Sequence, residues 1–277
     1  MNKEKRKIMS KGKNSIELEE ISPVQKRVRR VVFYFISFSI FFGLYETARL
    51  THLVDPSLLP SLWQVWEALV VRVFDRSLFV HIYWSLRRVA IGFAIGMILA
   101  VGIGFLIGWF RWLRAILDPV LCFLRALPPI ALIPLTVILL GIGEPSKMSV
   151  LVYASFFPAL VVIYQALISL DPLYIRAAKC LGCDSKETFM RVILPQLVPH
   201  IITACRVSLG VCWATLVAAE MIAARRGLGA MMINAQHFFQ IPPVVLGVFL
   251  IGAIALSMDN LVRYIEQKAT AWQEKIG

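Results

Sequence analysis

Arg125, Arg206 and Glu220 are the residues of this chain best placed to do chemistry, because each lies within or at the edge of a long apolar run. An ionisable side chain at membrane depth is costly, so it faces the interior of a helix bundle or a water-filled path. Two readings follow. In one, these residues line a water-filled path through the bundle, beside a helix broken at Pro128, Pro129 and Pro134. In the other, they are structural ion pairs, Glu220 with Arg225 or Arg226, or an arginine with Asp118 or Glu220, and the prolines only kink a packed helix. The remaining reactive types form no constellation. No G-x-x-x-x-G-K-[ST] occurs, so the chain has no phosphate cradle of its own. Cys180-x-x-Cys183 lacks a second pair or a nearby histidine, and a zinc site needs four ligands. Cys122, Cys205 and Cys212 sit in apolar runs as small apolar residues. His52, His81, His200 and His237 are scattered and read as interfacial, and no nucleophile stands beside a base.

The elements that carry these residues are membrane helices. At 58% hydrophobic over 277 residues and a mean hydropathy of +0.73, the composition excludes a soluble globule. The net charge of +12 does not point to nucleic acid, because ten of the 29 basic residues fall in positions 1–30, ahead of the first apolar run. That tail is expected on the cytoplasmic side, against anionic lipid. Spans are expected at 31–48, 85–110, 117–143, 148–170, 197–219 and 241–258, with an amphipathic helix at 60–76 along the outer interface. No small-residue cleavage site follows 31–48, so it reads as a retained helix. In 85–110, Gly92, Gly96, Ala100, Gly104 and Gly108 repeat every fourth place, a ridge for close helix packing. Residues 220–240 read as an outer loop with a turn at Arg225-Arg226-Gly227-Leu228-Gly229. With both termini inside, 19 of the 29 basic residues lie on cytoplasmic segments. The domain reading is a basic tail 1–30, a membrane domain 31–263 and a cytoplasmic C-terminal tail 264–277.

Between the fourth and fifth spans lies a polar stretch, 171–195, DPLYIRAAKCLGCDSKETFMRVILP. Asp171 before Pro172 is an N-cap with proline at the first helical position. Leu173, Ala177 and Leu181 form an apolar stripe, with Arg176 and Lys179 elsewhere on the surface. Gly182 marks a left-handed end, and Asp184 with Glu187 is a capping box for a second helix, closed or kinked at Pro195. The segment therefore reads as a helix, a glycine corner and a second helix held against a membrane face. Composition alone also allows a plain solvated loop.

The run Ala177-Ala178, Gly182 and Val192-Ile193-Leu194-Pro195 resembles the EAA signature of permease subunits of ATP-binding-cassette importers. Arg176 stands at the position of the name-giving glutamate. Leu117-Asp118-Pro119, Leu127-Pro128-Pro129, Gly141-Ile142-Gly143, residues 213–220 (WATLVAAE) and Gly227-Leu228-Gly229 resemble the taurine, sulfonate, nitrate and bicarbonate group, and most of all its taurine branch. The resemblance covers residues 59–272.

It implies an all-α polytopic fold of six transmembrane helices with a cytoplasmic coupling helix, the type I importer permease fold. Leu173, Arg176, Ala177, Ala178, Leu181, Gly182 and Pro195 would couple to the ATPase. Arg125, Pro128, Pro129, Arg206 and Glu220 are the expected pathway residues. The chain would hold no cofactor, with ATP and magnesium on two partner ATPase subunits. A second permease copy and a periplasmic or lipid-anchored solute-binding protein would complete a transporter in a bacterial cytoplasmic (inner) membrane. The cargo would be a small oxyanion, taurine or another sulfonate foremost. Nitrate, bicarbonate or a pyrimidine precursor is the alternative, and a carrier or channel driven by an ion gradient is the rival from another class.

Overall fold

A computed structural model describes residues 23–51 and 59–270, and every regular element among them is a helix. The chain divides into two units, Met1–Ser61 and Leu62–Gly277. The first holds α1 (Pro23–Leu50), which contains the expected span 31–48 and begins earlier, taking in Lys26 to Arg30. Phe38, Phe41 and Leu44 on it are exposed. Near its end Arg49 pairs with Glu46 three residues back (Nε–Oε1 2.8 Å), and the Tyr45 hydroxyl donates to the Pro60 carbonyl at 2.7 Å. His52 lies outside the described residues.

The second unit runs α2 (Leu62–Phe74), α3 (Ser77–Trp109), α4 (Arg111–Ala126), α5 (Ile133–Leu140), α6 (Glu144–Ile168), α7 (Pro172–Cys180), α8 (Ser185–Thr188), α9 (Leu194–Ala223), α10 (Leu228–His237) and α11 (Ile241–Ala269). Four helices among the described residues are long and apolar enough to cross a membrane: α3, α6, the continuous stretch Ser185–Ala223 and α11. A bent pair, α4 with the segment Pro129–Leu140, makes up to five. The bend is 86° and has a local cause. Leu127 precedes a proline and is driven out of the helical region (φ −75°, ψ 121°), and Pro128 is also extended. Pro129 then opens a single 3-10 turn, and Pro134 sits in the first turn of α5, where a missing N–H costs nothing.

α6 is the centre of the unit, packed between α3 and α9. The four-residue ridge on α3 explains the closeness of α3 and α6. A Cβ added at Gly92 would lie 2.7 Å from Leu151 Cβ, and one at Gly96 would lie 2.6 Å from Ser155 Oγ. Ser155 Oγ also reaches the Gly92 carbonyl across the interface at 3.3 Å. Val89, Leu151, Cys212, Trp213 and Leu216 fill the space where α3, α6 and α9 meet.

Several expected boundaries move. The first long span of this unit starts at Ser77 rather than 85, and the broken span at Arg111 rather than 117. Residues 220–240 are not an open loop, because the chain folds back as α10, whose Leu228, Ala230 and Met231 are buried. α11 continues to Ala269, past the end expected at 258, and this extension decides the partners of Arg206.

Candidate functional site

The segment 171–195 forms from its own signals. Asp171 Oδ1 accepts the Leu173 N–H at 2.8 Å, and α7 begins on Pro172. It ends in a Schellman pattern: Gly182 N–H bonds the Lys179 carbonyl at 3.0 Å and Cys183 N–H the Ala178 carbonyl at 3.0 Å. This geometry needs φ +84° at Gly182, a conformation glycine adopts without a Cβ clash. The capping box is present, with Glu187 N–H on Asp184 Oδ1 at 2.6 Å and Asp184 N–H on Glu187 Oε2 at 3.3 Å.

The stripe of Leu173, Ala177 and Leu181 is left open, and a different face of α7 packs on the bundle. Leu173 is 65% and Leu181 84% exposed, while Ile175 and Ala178 make the inward contacts, Ile175 against Ile193 and Leu197. Arg176 is also exposed. One expectation for this segment is corrected: the second helix neither closes nor kinks at Pro195. A π-helical turn, Phe189–Ile193, follows α8, and Leu194 N–H bonds Phe189 O five residues back. The wider turn accommodates Pro195, which lacks an N–H, and passes the chain without a break into α9.

At the opposite end of the helices that flank α7 lies a buried charge cluster. Glu220, near the end of α9, is 0% exposed. Its carboxylate accepts from Ser85 Oγ at 2.8 Å, from Arg88 Nη1 at 2.8 Å and from Gly229 N–H at 2.9 Å. Ser85 Oγ in turn accepts the Leu228 N–H at 2.8 Å. Arg88 grips Glu144 with Nε and Nη2 at 2.8 and 2.7 Å, and Lys147 Nζ donates to the same carboxylate at 2.8 Å. The Arg226 carbonyl takes another Arg88 proton. Arg88 and Lys147 are buried like Glu220. Four elements, α3, α6, the end of α9 and the start of α10, thus meet on alternating charges. The glycines of Gly227-Leu228-Gly229 make room for this, since a Cβ on Gly227 (φ +135°) would fall 2.3 Å from the Glu220 carboxyl carbon. Gly227 N–H also donates to His81 Nδ1 at 3.1 Å, so the partly buried His81 is an acceptor for the turn.

Glu220 therefore pairs with Arg88, not with Arg225 or Arg226, whose side chains are exposed. Arg206 pairs with neither Asp118 nor Glu220. It bonds Asp259 at 3.0 Å and Glu266 at 3.4 Å, both on α11, with Arg263 adding to Asp259 at 3.4 Å. Arg125 is exposed at the end of α4, next to the break at Pro128 and Pro129, with no ion pair among the described residues. Arg125, Arg206 and Glu220 share no partner. Sequence reading missed Ser85, Arg88, Glu144 and Lys147, although an arginine inside an apolar run is itself a signal. Cys180 and Cys183 are free thiols, and no cluster of metal-binding side chains occurs among the described residues.

Long apolar helices packed through a glycine ridge, a proline-broken bent pair and an exposed polar helix between two spans define a polytopic helical membrane subunit. Comparison with known proteins gives its family. Residues 92–271 match the family "Binding-protein-dependent transport system inner membrane component", and the chain belongs to it. It is 42% identical over 217 residues (78% of this chain, 87% of the relative) to a probable ABC transporter permease protein of Brucella abortus strain 2308. It is 33% identical over 253 residues (90% and 92%) to the taurine transport system permease protein TauC of Escherichia coli K12. It is 31% identical over 201 residues (73% and 73%) to the putative aliphatic sulfonates transport permease protein SsuC of Bacillus subtilis 168. Among solved structures, the fold resembles an inward-facing MetNI methionine ABC transporter with a TM-score of 0.56 at 18% identity, covering 69% of this chain and 97% of that one. The chain is thus a permease subunit of an ABC transporter and not an enzyme; ATP hydrolysis belongs to partner subunits.

Proposed function

We propose that this permease carries a small oxyanion inward, taurine or another sulfonate foremost. The observation that supports this best is the match to the E. coli taurine permease along 90% of the chain. The sulfonate relative in B. subtilis points the same way. Bicarbonate is the second reading, favoured by 28% identity over 84% of the chain to the bicarbonate transport system permease protein CmpB of Synechococcus elongatus.

In this reading two copies of the chain pair with two ATPase subunits that bind ATP and magnesium, and a solute-binding protein delivers the cargo. The apolar side chains that α7 turns outward, Leu173 and Leu181, suit a docking helix. With Arg176, Ala177, Ala178, Gly182 and Pro195 they form the coupling segment. Six spans, α1 included, put both termini and 171–195 in the cytoplasm, so α7 transmits ATPase closure to the bundle. The exposed Arg125 beside Pro128 and Pro129 fits a pathway lining. Arg206 and Glu220, held by acids and by Arg88, fit a bundle-holding role.

The test of cargo is a titration of the purified solute-binding partner with taurine, other sulfonates, nitrate and bicarbonate. Tight binding of a sulfonate alone is expected, and preference for bicarbonate would move the assignment to the second reading. Uptake into liposomes without ATP would defeat the importer reading altogether. For topology, a cysteine at Ile142, 82% exposed, should be labelled from outside and one at Ser185 only from inside. Ser146 is buried and unsuited to such labelling.

A further inference from the structure

Above the charge cluster opens a cavity of about 570 Å³, lined by Trp84, Arg88, Glu144, Lys147, Arg225 and Arg226, with Ile142 and Gly143 also in its lining. From its charges we infer that this cavity is a binding site for a small oxyanion, a sulfonate, phosphate or similar group, at the end of the subunit opposite α7.

Four cations and one carboxylate line the space. The carboxylate is already spent, because Glu144 Oε1 accepts from both Arg88 and Lys147 and Oε2 accepts from Arg88. Nearly all of Arg88's N–H groups are committed to Glu144, Glu220 and the Arg226 carbonyl, so Arg88 acts as a fixed floor charge. Lys147 spends one of its three donors on Glu144 and is held in place by burial. Arg225 and Arg226 stand exposed on the wall with no ion pair among the described residues. The lining therefore keeps a net positive charge and spare donors. Basic groups around a low-dielectric concavity focus field and raise the local concentration of anions.

Size agrees with this chemistry, since ligand cavities of a few hundred Å³ and upward hold small molecules. The Arg88–Glu144–Lys147 chain fixes the floor before any ligand arrives, which lowers the ordering cost of binding. The site is separate from the break at Pro128 and Pro129 and from the Arg206 cluster. It does not depend on which solute is carried; only its placement outside rests on the topology proposed above. The anion can be free solute or an acidic lipid headgroup, and one assay separates the two.

Ile142→Cys is placed in the full chain assembled with its ATPase in phosphatidylcholine nanodiscs. Cys122, Cys180, Cys183 and Cys205 are replaced by alanine, and the buried Cys212 is kept. Labelling rates are compared for a sulfonate-bearing and a trimethylammonium-bearing methanethiosulfonate. Phe239→Cys, exposed and outside the cavity lining, is the reference position. Relative to that reference, the anionic reagent should be favoured at position 142 by roughly tenfold at low salt, less at ~0.15 M.

The Arg225→Gln/Arg226→Gln variant should remove most of the preference. It keeps the Arg226 carbonyl that Arg88 uses, and both side chains are exposed, so folding is preserved. Ethanesulfonate that slows labelling at 142 but not at 239 supports a site for free solute. Slowing that appears only when phosphatidylglycerol replaces phosphatidylcholine supports the headgroup as source. Equal rates for the two reagents, or a preference unchanged by the double substitution, would overturn the inference. Neither result touches the cargo assignment, which is read on the binding protein.

Discussion

The two ends of the α6–α9 pair are built on opposite principles. At the α7 end, caps, the Schellman turn and the capping box join residues at most five apart, and Leu173 and Leu181 face outward. At the Arg88–Glu220 end, partners lie 132 residues apart, and the acceptor is completely enclosed. A segment closed by local bonds can keep its shape while its surface serves another protein. A cluster made of distant partners fixes the helices to one another, and loses its purpose when any member goes.

Substitutions should separate these two principles. The largest effect is expected for Arg88→Leu, which leaves Glu220 buried without its cation. Breaking such a pair costs about 3–5 kcal/mol. Thermal unfolding of the purified chain should shift down sharply, and an unchanged transition would show that the cluster does not hold the bundle. Next is Gly227→Ala, whose Cβ has no room beside the Glu220 carboxyl and whose φ is strained for any side chain. Strain and overpacking of this kind each cost roughly 1–3 kcal/mol, again read as a lowered transition.

Gly182→Leu should cost about 1–2 kcal/mol from the left-handed corner alone, with insertion intact and uptake lost. Normal uptake at normal membrane levels would remove α7 from coupling. Leu173→Asp and Leu181→Asp should change stability by under ~0.5 kcal/mol, as exposed substitutions do. Both should reduce co-purification with the ATPase, and full retention would show that the outward stripe is not the docking face. The smallest stability change is expected for Arg125→Gln, which breaks no ion pair among the described residues; reduced anion uptake by the assembled complex is its readout.

The same division explains what the sequence made legible. Asp171-Pro172, Gly182 and Asp184 with Glu187 carry their geometry in adjacent residues, and each does in the structure what its type predicts. The break after Leu127 was equally plain, because proline restricts its own backbone and that of the residue before it. Arg88 and Glu220 carry no mark of each other in one sequence. Arg88 reads as the start of an apolar run, and the nearest arginines along the chain, Arg225 and Arg226, are the obvious partners for Glu220. Asp259 and Glu266 were placed beyond the end of a span at 258, so Arg206 was denied the acids that the continued helix brings to it. α10 was hidden because ten residues after a glycine turn show little periodicity, and burial against neighbouring helices decides their shape.

The π-helical turn at Phe189–Ile193 amounts to one surplus residue carried inside a helix. Deleting a single residue there would let the stretch from Ser185 to Ala223 rewind as regular α-helix, with its spanning part untouched. The short α8 turn ahead of it, and with it the glycine corner and α7, would then swing about the helix axis by roughly 100°. α7 would remain folded and aim Leu173 and Leu181 in a new direction. The register of one turn is thus an adjustable bearing between the membrane helix and the exposed apolar face of α7.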